Sequence, residues 1–248
     1  MRRRDLFGFS SGAIVGLSFA SPLAGARPFT DSGDRKIDVP AEVRRVFPAG
    51  PPAAVTIYTL APDKMLGWTR APGPDARPFL PARYAELPEI GRLTGRGNTV
   101  NLENVVRLMP DLVLDIGNAT ATYVSLADRV QEQTHIPAVL IGGRLAETPA
   151  TLRTVGDLLG VAGRAEALAR YTEAVIGGVQ EAVAKIPSEK RPSNYLARGP
   201  RGLETAVAGS IGSESSTLSA RATLSPRTPP RARSSRSRPS RSLPGNPM

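Results

Sequence analysis

The chain has 248 residues, no cysteine, one histidine and a formal net charge of +10. The lack of cysteine excludes disulfides, cysteine-based metal sites and a lipoprotein anchor. The charge is concentrated at the two ends: residues 1–26 carry +2, residues 215–248 carry +7 from seven arginines without an acid, and +1 remains for residues 27–214. A nearly neutral body argues against a nucleic-acid footprint on the folded part.

The first 26 residues have the pattern of an export signal. Three arginines precede an apolar stretch over 6–23, and Ala24-Gly25-Ala26 fits a cleavage site of small residues. The run Arg3-Arg4-Asp5-Leu6-Phe7 resembles the twin-arginine export motif. A short membrane anchor is the alternative, and the glycines and serines that interrupt the apolar stretch disfavour it.

Strand and helix patterns then alternate, which predicts an α/β fold with a mostly parallel, Rossmann-like sheet. An apolar run bounded by turn signals indicates a strand, and apolar residues at helical spacing indicate a helix. The predicted strands are 43–47, 65–69, 112–116 and 138–141. The predicted helices are 53–60, 102–109, 123–131 and a helix that begins at the Thr148 cap.

The stretch from 88 to 117 is the most informative part of the chain. Asn101 can cap a helix, with Asn104 completing a weaker capping box, and Leu102, Val105, Val106 and Met109 recur at helical spacing. Pro110 ends that helix, and an apolar run closed by Gly117 follows, as in a strand covered on both faces.

The residue order LPEIGR, Gly, NLE and PDLV across this stretch resembles the periplasmic substrate-binding proteins of ABC importers. That family carries iron-siderophore, haem, cobalamin and related metal complexes. The resemblance covers about residues 37–214 and implies two α/β lobes joined by a long helix. It also implies binding without catalysis, no cofactor, a monomer, and an ABC permease at the inner membrane as partner.

The longest helical pattern, over 163–185, has an apolar stripe and ends before Pro187. Its stripe consists of Leu168, Tyr171, Val175, Val179 and Val183, and Gly177-Gly178 weakens its middle. A strand over 193–197 would open the second lobe. The expected organisation is a signal peptide (1–26), a first ligand-binding lobe (27–162), an inter-lobe helix (163–187), the beginning of a second α/β lobe (188–214) and a disordered basic tail (215–248).

The tail is rich in Ser, Arg and Pro and almost free of apolar residues, so it cannot bury enough surface to offset its ordering entropy. One interpretation is a basic arm for nucleic acid or an anionic surface, with strongly salt-dependent binding. The other is an out-of-frame translation product. The abrupt change of composition after Ser-Ile-Gly-Ser-Glu favours the second interpretation.

Catalytic and metal-binding constellations are not visible in the sequence. The only histidine, His135, precedes a predicted strand, where a position at a helix C-terminus is its ordinary explanation. The glycine-rich loop over 91–98 lacks the Gly-Lys-Ser/Thr ending of a phosphate loop. An enzyme on the same architecture remains an alternative, because fold does not fix function.

Seven residues are candidates for ligand contact. Several follow predicted strands, whose carboxyl ends form the ligand crevice of open α/β sheets. Others lie in the loop that the family places at the mouth of the cleft, where arginine suits a carboxylate-bearing chelate. A solvated surface charge is the alternative for each arginine, and a core position is the alternative for the tryptophan. The seven are Trp68, Arg70, Arg92, Arg96, Tyr123, Arg144 and Arg198.

Glu103 is the candidate for permease contact. In the resembling family an acid at this point of the first lobe meets arginines of the permease, a charge pairing that sets orientation and association rate. An acid in the first turn of a helix is also favoured by the helix dipole alone. The sequence thus predicts a solute-binding protein for an iron complex or similar metal chelate, with a basic-tailed binder or an enzyme as alternatives.

Overall fold

The computed structural model describes residues 25–95, 100–202, 204–206, 209–219 and 222–223. The strands, in chain order, are β1 Ala26–Thr30, β2 Lys36–Pro40, β3 Val46–Pro48, β4 Leu112–Gly117, β5 Ala138–Gly142, β6 Ser193–Asn194 and β7 Ala222–Thr223. The helices are α1 Pro51–Leu60, α2 Ala82–Ala85, α3 Leu102–Arg107, α4 Ala121–Thr134, α5 Thr148–Leu158, α6 Ala162–Ala184 and α7 Glu214–Ser219. Residues 1–24 of the predicted signal sequence and most of the basic tail lie outside the described residues. The start of the segment predicted as a disordered tail is ordered instead, since residues 215–219 belong to α7 and residues 222–223 form β7.

The centre of the fold is a parallel sheet with the strand order β3-β4-β5. Side chains alternate along β4: Leu112, Leu114 and Ile116 enter one apolar core, and Val113 enters the other. The first core also receives α1, α5 and the start of α6, and the second receives α3 and α4. The prediction of an α/β lobe with a strand covered on both faces is therefore confirmed.

The predicted strand over 65–69 is wrong. This segment changes its partner midway: Met65 forms a parallel bridge with Val46, whereas Trp68 forms one with Glu89. The amide of Leu66 donates to the Val46 carbonyl at 3.1 Å, and the amide of Trp68 donates to the Pro88 carbonyl at 2.9 Å. Neither ladder is long enough to make a strand, because each pairing lasts about one residue.

An antiparallel hairpin of β1 and β2 precedes the sheet and was not predicted. Its turn forms hydrogen bonds with the outer edge of β5. The Ser32 amide donates to the Leu140 carbonyl at 2.9 Å, and the Leu140 amide donates to Asp31 Oδ2 at 3.1 Å. The Asp31 carboxylate also pairs with the Arg35 guanidinium at 2.6 Å, and both side chains are almost completely buried. The alternation of Ile37 and Val39 with polar residues is the sequence signal for this hairpin.

The stretch around α3 follows the prediction in part. The Asn104 amide donates to Asn101 Oδ1 at 2.9 Å, so Asn101 is the helix cap as expected. The reciprocal half of the capping box is not formed, because the Asn104 side chain instead accepts from Arg107. The helix ends at Arg107 rather than at Met109, which has a left-handed φ of 44° and is exposed.

The long helix α6 forms as predicted and continues through Gly177-Gly178. Its first half packs on α5 through small residues, Ala165 and Ala169, which are fully buried, and Leu168 is partly buried against the same core. Beyond that point the predicted apolar stripe is largely uncovered, since Tyr171, Val175 and Val179 are 69%, 46% and 37% exposed. No helix within the described ranges is long and apolar enough to cross a membrane.

The segment after α6 is built from short elements. β6 pairs in parallel with β7 over two residues each, and the short helix α7 lies between them in the chain. The strand predicted over 193–197 is therefore cut short at Asn194, beyond which the chain turns to form a bridge between Arg198 and Glu204.

Candidate functional site

The carboxyl ends of β3, β4 and β5 lie side by side at one edge of the sheet. β3 is followed at once by Gly50 and the start of α1, and the strands β4 and β5 end at Gly117 and Gly142. The Gly143 amide donates to the Gly117 carbonyl at 2.9 Å, which joins the two loops that leave the sheet. A Cβ on Gly143 would approach the Gly117 backbone to 3.1 Å, so this edge depends on glycine for its close packing.

An open groove of about 440 Å³ runs along this edge between the first turns of α1 and α5. Its walls combine apolar surface with threonine hydroxyls, and Val55 is 60% exposed within it. None of the lining residues is charged: they are Pro51, Pro52, Val55, Thr56, Ile116, Gly143, Thr148 and Thr151. This groove can take an apolar ligand face. Its threonine hydroxyls donate to backbone carbonyls of Pro52, Arg144 and Gly142, so they can only accept hydrogen bonds from a ligand.

A buried carboxyl anchors the loop that precedes α3. Thr94 Oγ1 donates to Asp115 Oδ1 at 2.9 Å, and the amides of Leu93 and Thr94 both donate to the Ala49 carbonyl. Burial is the main influence on the Asp115 carboxyl and raises its pKa, although the hydrogen bonds from Thr94 and the Ile116 amide act in the opposite direction. Tyr123 lines the same small cavity as Asp115 and Thr94.

Arg144 follows β5 and makes an ion pair with Glu214 at the start of α7. Arg144 Nη2 lies 2.6 Å from Glu214 Oε1, and the Leu145 amide donates to Glu214 Oε2 at 2.6 Å. Both residues line a second open cavity of about 440 Å³, together with Ile176 and Gln180 of α6. Glu214 was not identified as a partner of Arg144 from the sequence, because the two are 70 positions apart and share no local pattern.

Arg198 lies against the segment that precedes α7. Its Nη1 atom lies 3.3 Å from the position that a Cβ on Gly212 would occupy, and Gly212 is two residues from Glu214. The side chain is thus near the start of α7, where Glu214 pairs with Arg144.

Trp68 is a core residue, which corrects the prediction that it contacts ligand. Its ring is 9% exposed and packs on Tyr58 with the ring centres 5.3 Å apart. Its only side-chain donor, Nε1, donates to the Tyr84 carbonyl at 2.8 Å. The indole therefore has neither surface nor a hydrogen-bonding group to offer to a ligand.

The remaining candidates have different settings. Arg70 follows the bridge formed by Trp68, is exposed and makes no ion pair within the described ranges. Arg92 is half-buried and has an interaction partner. Arg96 lies outside the described residues. Glu103 is exposed in the first turn of α3.

The only histidine of the chain ends α4. His135 adopts a left-handed φ of 58° at the helix C-cap, which confirms its predicted position, and it lies at the opposite, amino edge of the sheet. Within the described ranges no group of three or more His, Cys, Asp or Glu side chains could hold a metal ion.

No protein-family model matches the chain, and no curated protein matches it. Solved structures do. An ABC transporter solute-binding protein from Sulfurospirillum deleyianum aligns with a TM-score of 0.68 and 26% identity, over 77% of this chain and 60% of that chain.

Two further structures share the fold at lower identity. The TroA-like periplasmic binding protein FepB from Veillonella parvula has a TM-score of 0.54 and 22% identity, over 70% of this chain and 54% of that chain. The molybdate-bound periplasmic binding protein MolA from Haemophilus influenzae has a TM-score of 0.54 and 18% identity, over 69% and 58%. All three are binding proteins rather than enzymes. The family resemblance is thus confirmed in the structure: this chain has the α/β fold of the solute-binding proteins of ABC transporters, and it spans 60% of the length of the first of them.

Proposed function

We propose that this chain is a periplasmic solute-binding protein that delivers an iron complex or similar metal chelate to an ABC transporter permease. The observation that carries the proposal is the open carboxyl edge of the parallel sheet, with a groove and an arginine beside it, in a fold shared with such binding proteins. Ligand would bind at that edge without chemical change, and the loaded protein would dock on the permease as a monomer.

The proposed ligand contacts are Tyr123 and five arginines. A metal chelate usually carries ionised oxygens on an organic scaffold, so it needs cationic donors together with apolar surface. The groove supplies the apolar surface, and the arginines supply planar donors that can bond two oxygens. The arginines are Arg70, Arg92, Arg96, Arg144 and Arg198.

One of the similar structures holds molybdate, so the shared fold does not by itself select a metal chelate. An iron chelate is favoured here because the groove is lined by carbon and hydroxyl groups over about 440 Å³. A compact oxyanion would need several donors converging on one point, whereas a larger complex can use the length of the groove.

The proposed organisation keeps residues 27–162 as the first lobe, 163–187 as the inter-lobe helix and 188–214 as the start of a second lobe. Glu103 is proposed to contact the permease, because it is an exposed acid on the first lobe. Export would use the twin-arginine motif at residues 3–7, so the protein would reach the periplasm already folded.

Isothermal titration calorimetry of the full chain tests the proposal. The panel would contain haem, a ferric hydroxamate, a ferric catecholate, ferric citrate, cobalamin and molybdate. We expect micromolar or tighter binding of one organic metal complex and none of molybdate. The variant Arg70→Gln should weaken that binding about tenfold through loss of one charge-assisted hydrogen bond.

Arg44→Gln is the control, because Arg44 is also exposed but lies just before β3, at the amino edge. Equal loss of affinity in both variants would mean that only overall charge matters. Absence of binding to every member of the panel would refute the proposed function.

A further inference from the structure

We propose that Arg144 and the Leu145 amide form a carboxylate-binding site that Glu214 fills in the absence of ligand, and that a carboxylate group of the ligand displaces Glu214 from it. The inference rests on the proposed function and adds the chemical class of the ligand, a chelate with free carboxylates. It also assigns Glu214 a role as an internal competitor.

The geometry of the Glu214 carboxylate is that of a bound anion. Each of its two oxygens has its own donor at 2.6 Å, one from the Arg144 guanidinium and one from the Leu145 backbone. The Glu214 side chain is 15% exposed, so water supplies little of its solvation. Two donors spaced for two oxygens of one planar group recognise a carboxylate in general, whether it belongs to the protein or to a ligand.

The pair is also open to exchange. The Arg144 side chain is 50% exposed, so part of its guanidinium faces solvent while Glu214 is bound. An ion pair with one partner this exposed contributes little to stability, and replacing one carboxylate by another leaves the number of donors and charges at Arg144 unchanged. Glu214 belongs to a six-residue helix on the short segment after α6, whose displacement disturbs neither apolar core of the sheet.

The adjoining cavity has room for the rest of such a ligand. Its volume of about 440 Å³ lies in the range of small-molecule sites. Ile176 and Leu218 form apolar parts of the cavity wall. The side-chain amide of Gln180 makes no hydrogen bond within the described ranges. The guanidinium of Arg198 lies against Gly212, two residues before Glu214, which adds a second cation near the start of α7. A compact chelate with more than one carboxylate fits this arrangement better than a neutral complex does.

The test uses the full chain and two probes, metal-free tricarballylate and ferric citrate, in titrations followed by calorimetry and by the amide resonance of Leu145. In Glu214→Gln the competitor loses its charge and keeps its shape, so we expect about tenfold tighter binding of both probes than in the wild type. Arg144→Gln should lose this binding. The Leu145 resonance should move on titration in the wild type and further in Glu214→Gln.

Glu173→Gln is the matched control, because Glu173 forms an ion pair of the same length, 2.6 Å, with Arg153 on the surface of α6. It should bind both probes as the wild type does. Equal affinities in the wild type and Glu214→Gln, or resonance changes that leave Leu145 unmoved, would overturn the inference. The wild-type titration keeps the test decisive if a variant fails to fold.

The outcomes also separate this inference from the proposed function. If a neutral ferric hydroxamate binds equally to the wild type, Glu214→Gln and Arg144→Gln while tricarballylate leaves Leu145 unmoved, the transport function stands and the carboxylate site is refuted. If no metal complex binds but tricarballylate shifts Leu145 in a Glu214-dependent way, the site stands and the transport function is refuted.

Discussion

The two halves of α6 contrast in what covers them. The first half lies on α5 and buries Ala165 and Ala169 completely, as part of the core that also holds Leu114 of β4. The second half presents Val175 and Val179 to solvent, although its apolar residues recur at the same helical spacing. Helical periodicity specifies which face of a helix is apolar, but burial depends on whether another element is there to receive that face.

The same contrast separates the segments on either side of α6. Before it, three strands are covered on both faces, and a hairpin turn satisfies the outer edge of β5. After it, the strands β6 and β7 are two residues long and few side chains are buried. We therefore expect the stability of the chain to reside in the residues before Tyr171.

The buried ion pair of the hairpin should give the largest effect. Asp31→Ala removes the closer of two carboxylate partners of Arg35, whose side chain is only 10% exposed, and leaves the Leu140 amide without its acceptor. Breaking a buried ion pair costs about 3–5 kcal/mol in the free energy of unfolding, and we expect the lower end of this range because Asp128 still pairs with Arg35. Urea denaturation measures this.

Glu42→Ala is the control for the hairpin, because Glu42 pairs with Arg44 at 2.7 Å but both side chains are largely exposed. It should leave the free energy of unfolding unchanged within error. If the two variants were equally stable, the hairpin would not be part of the cooperative unit.

A matched pair of apolar truncations tests the contrast between covered and uncovered surface. Leu114→Ala opens a cavity in the sheet core and should lower the free energy of unfolding by about 2–5 kcal/mol. Val175→Ala, on the exposed half of α6, should change it by less than about 0.5 kcal/mol. A comparable loss for Val175→Ala would show that this helix face is packed in solution.

The smallest effect concerns the buried carboxyl beneath the loop at 91–95. Burial raises the pKa of Asp115 in the folded state. Below the ordinary aspartate value of 3.8 the carboxyl is protonated in both states and costs no stability. As the pH rises through the raised pKa, the carboxyl must ionise in its buried position, and the folded state loses stability. Asp115→Asn cannot ionise and can still accept from Thr94. The variant should gain stability over the wild type as the pH rises, in urea midpoints measured across a pH series. A constant difference at all pH values would contradict the burial of this carboxyl as a source of pH dependence.

Local sequence patterns predicted those strands and helices whose conformation depends on neighbouring residues in the chain. The apolar run of β4 and the Asn101 cap of α3 are each determined by a few neighbouring residues. The same reasoning gave the correct extent of α6, since helix formation depends on spacing and on the absence of proline.

The errors involve partners that are distant in the chain. The segment at 65–69 is apolar enough for a strand but divides its hydrogen bonds between Val46 and residues 88–90. Trp68 belongs to this segment, and from the sequence its position beside Tyr58 could not be distinguished from a position in the cleft. Likewise, Arg144 was identified from its place after a strand, whereas its pairing with Glu214 depends on the path of the chain after α6.

Hydrogen–deuterium exchange of the full chain, with and without the tightest-binding complex of the calorimetric panel, tests the central claim most directly. If the carboxyl edge of the sheet binds the ligand, exchange should slow in residues 91–95, 117–123 and 143–146. Residues 132–138, at the amino edge, should be unchanged. Protection confined to the amino edge, or to the exposed half of α6, would contradict the assignment of the binding site.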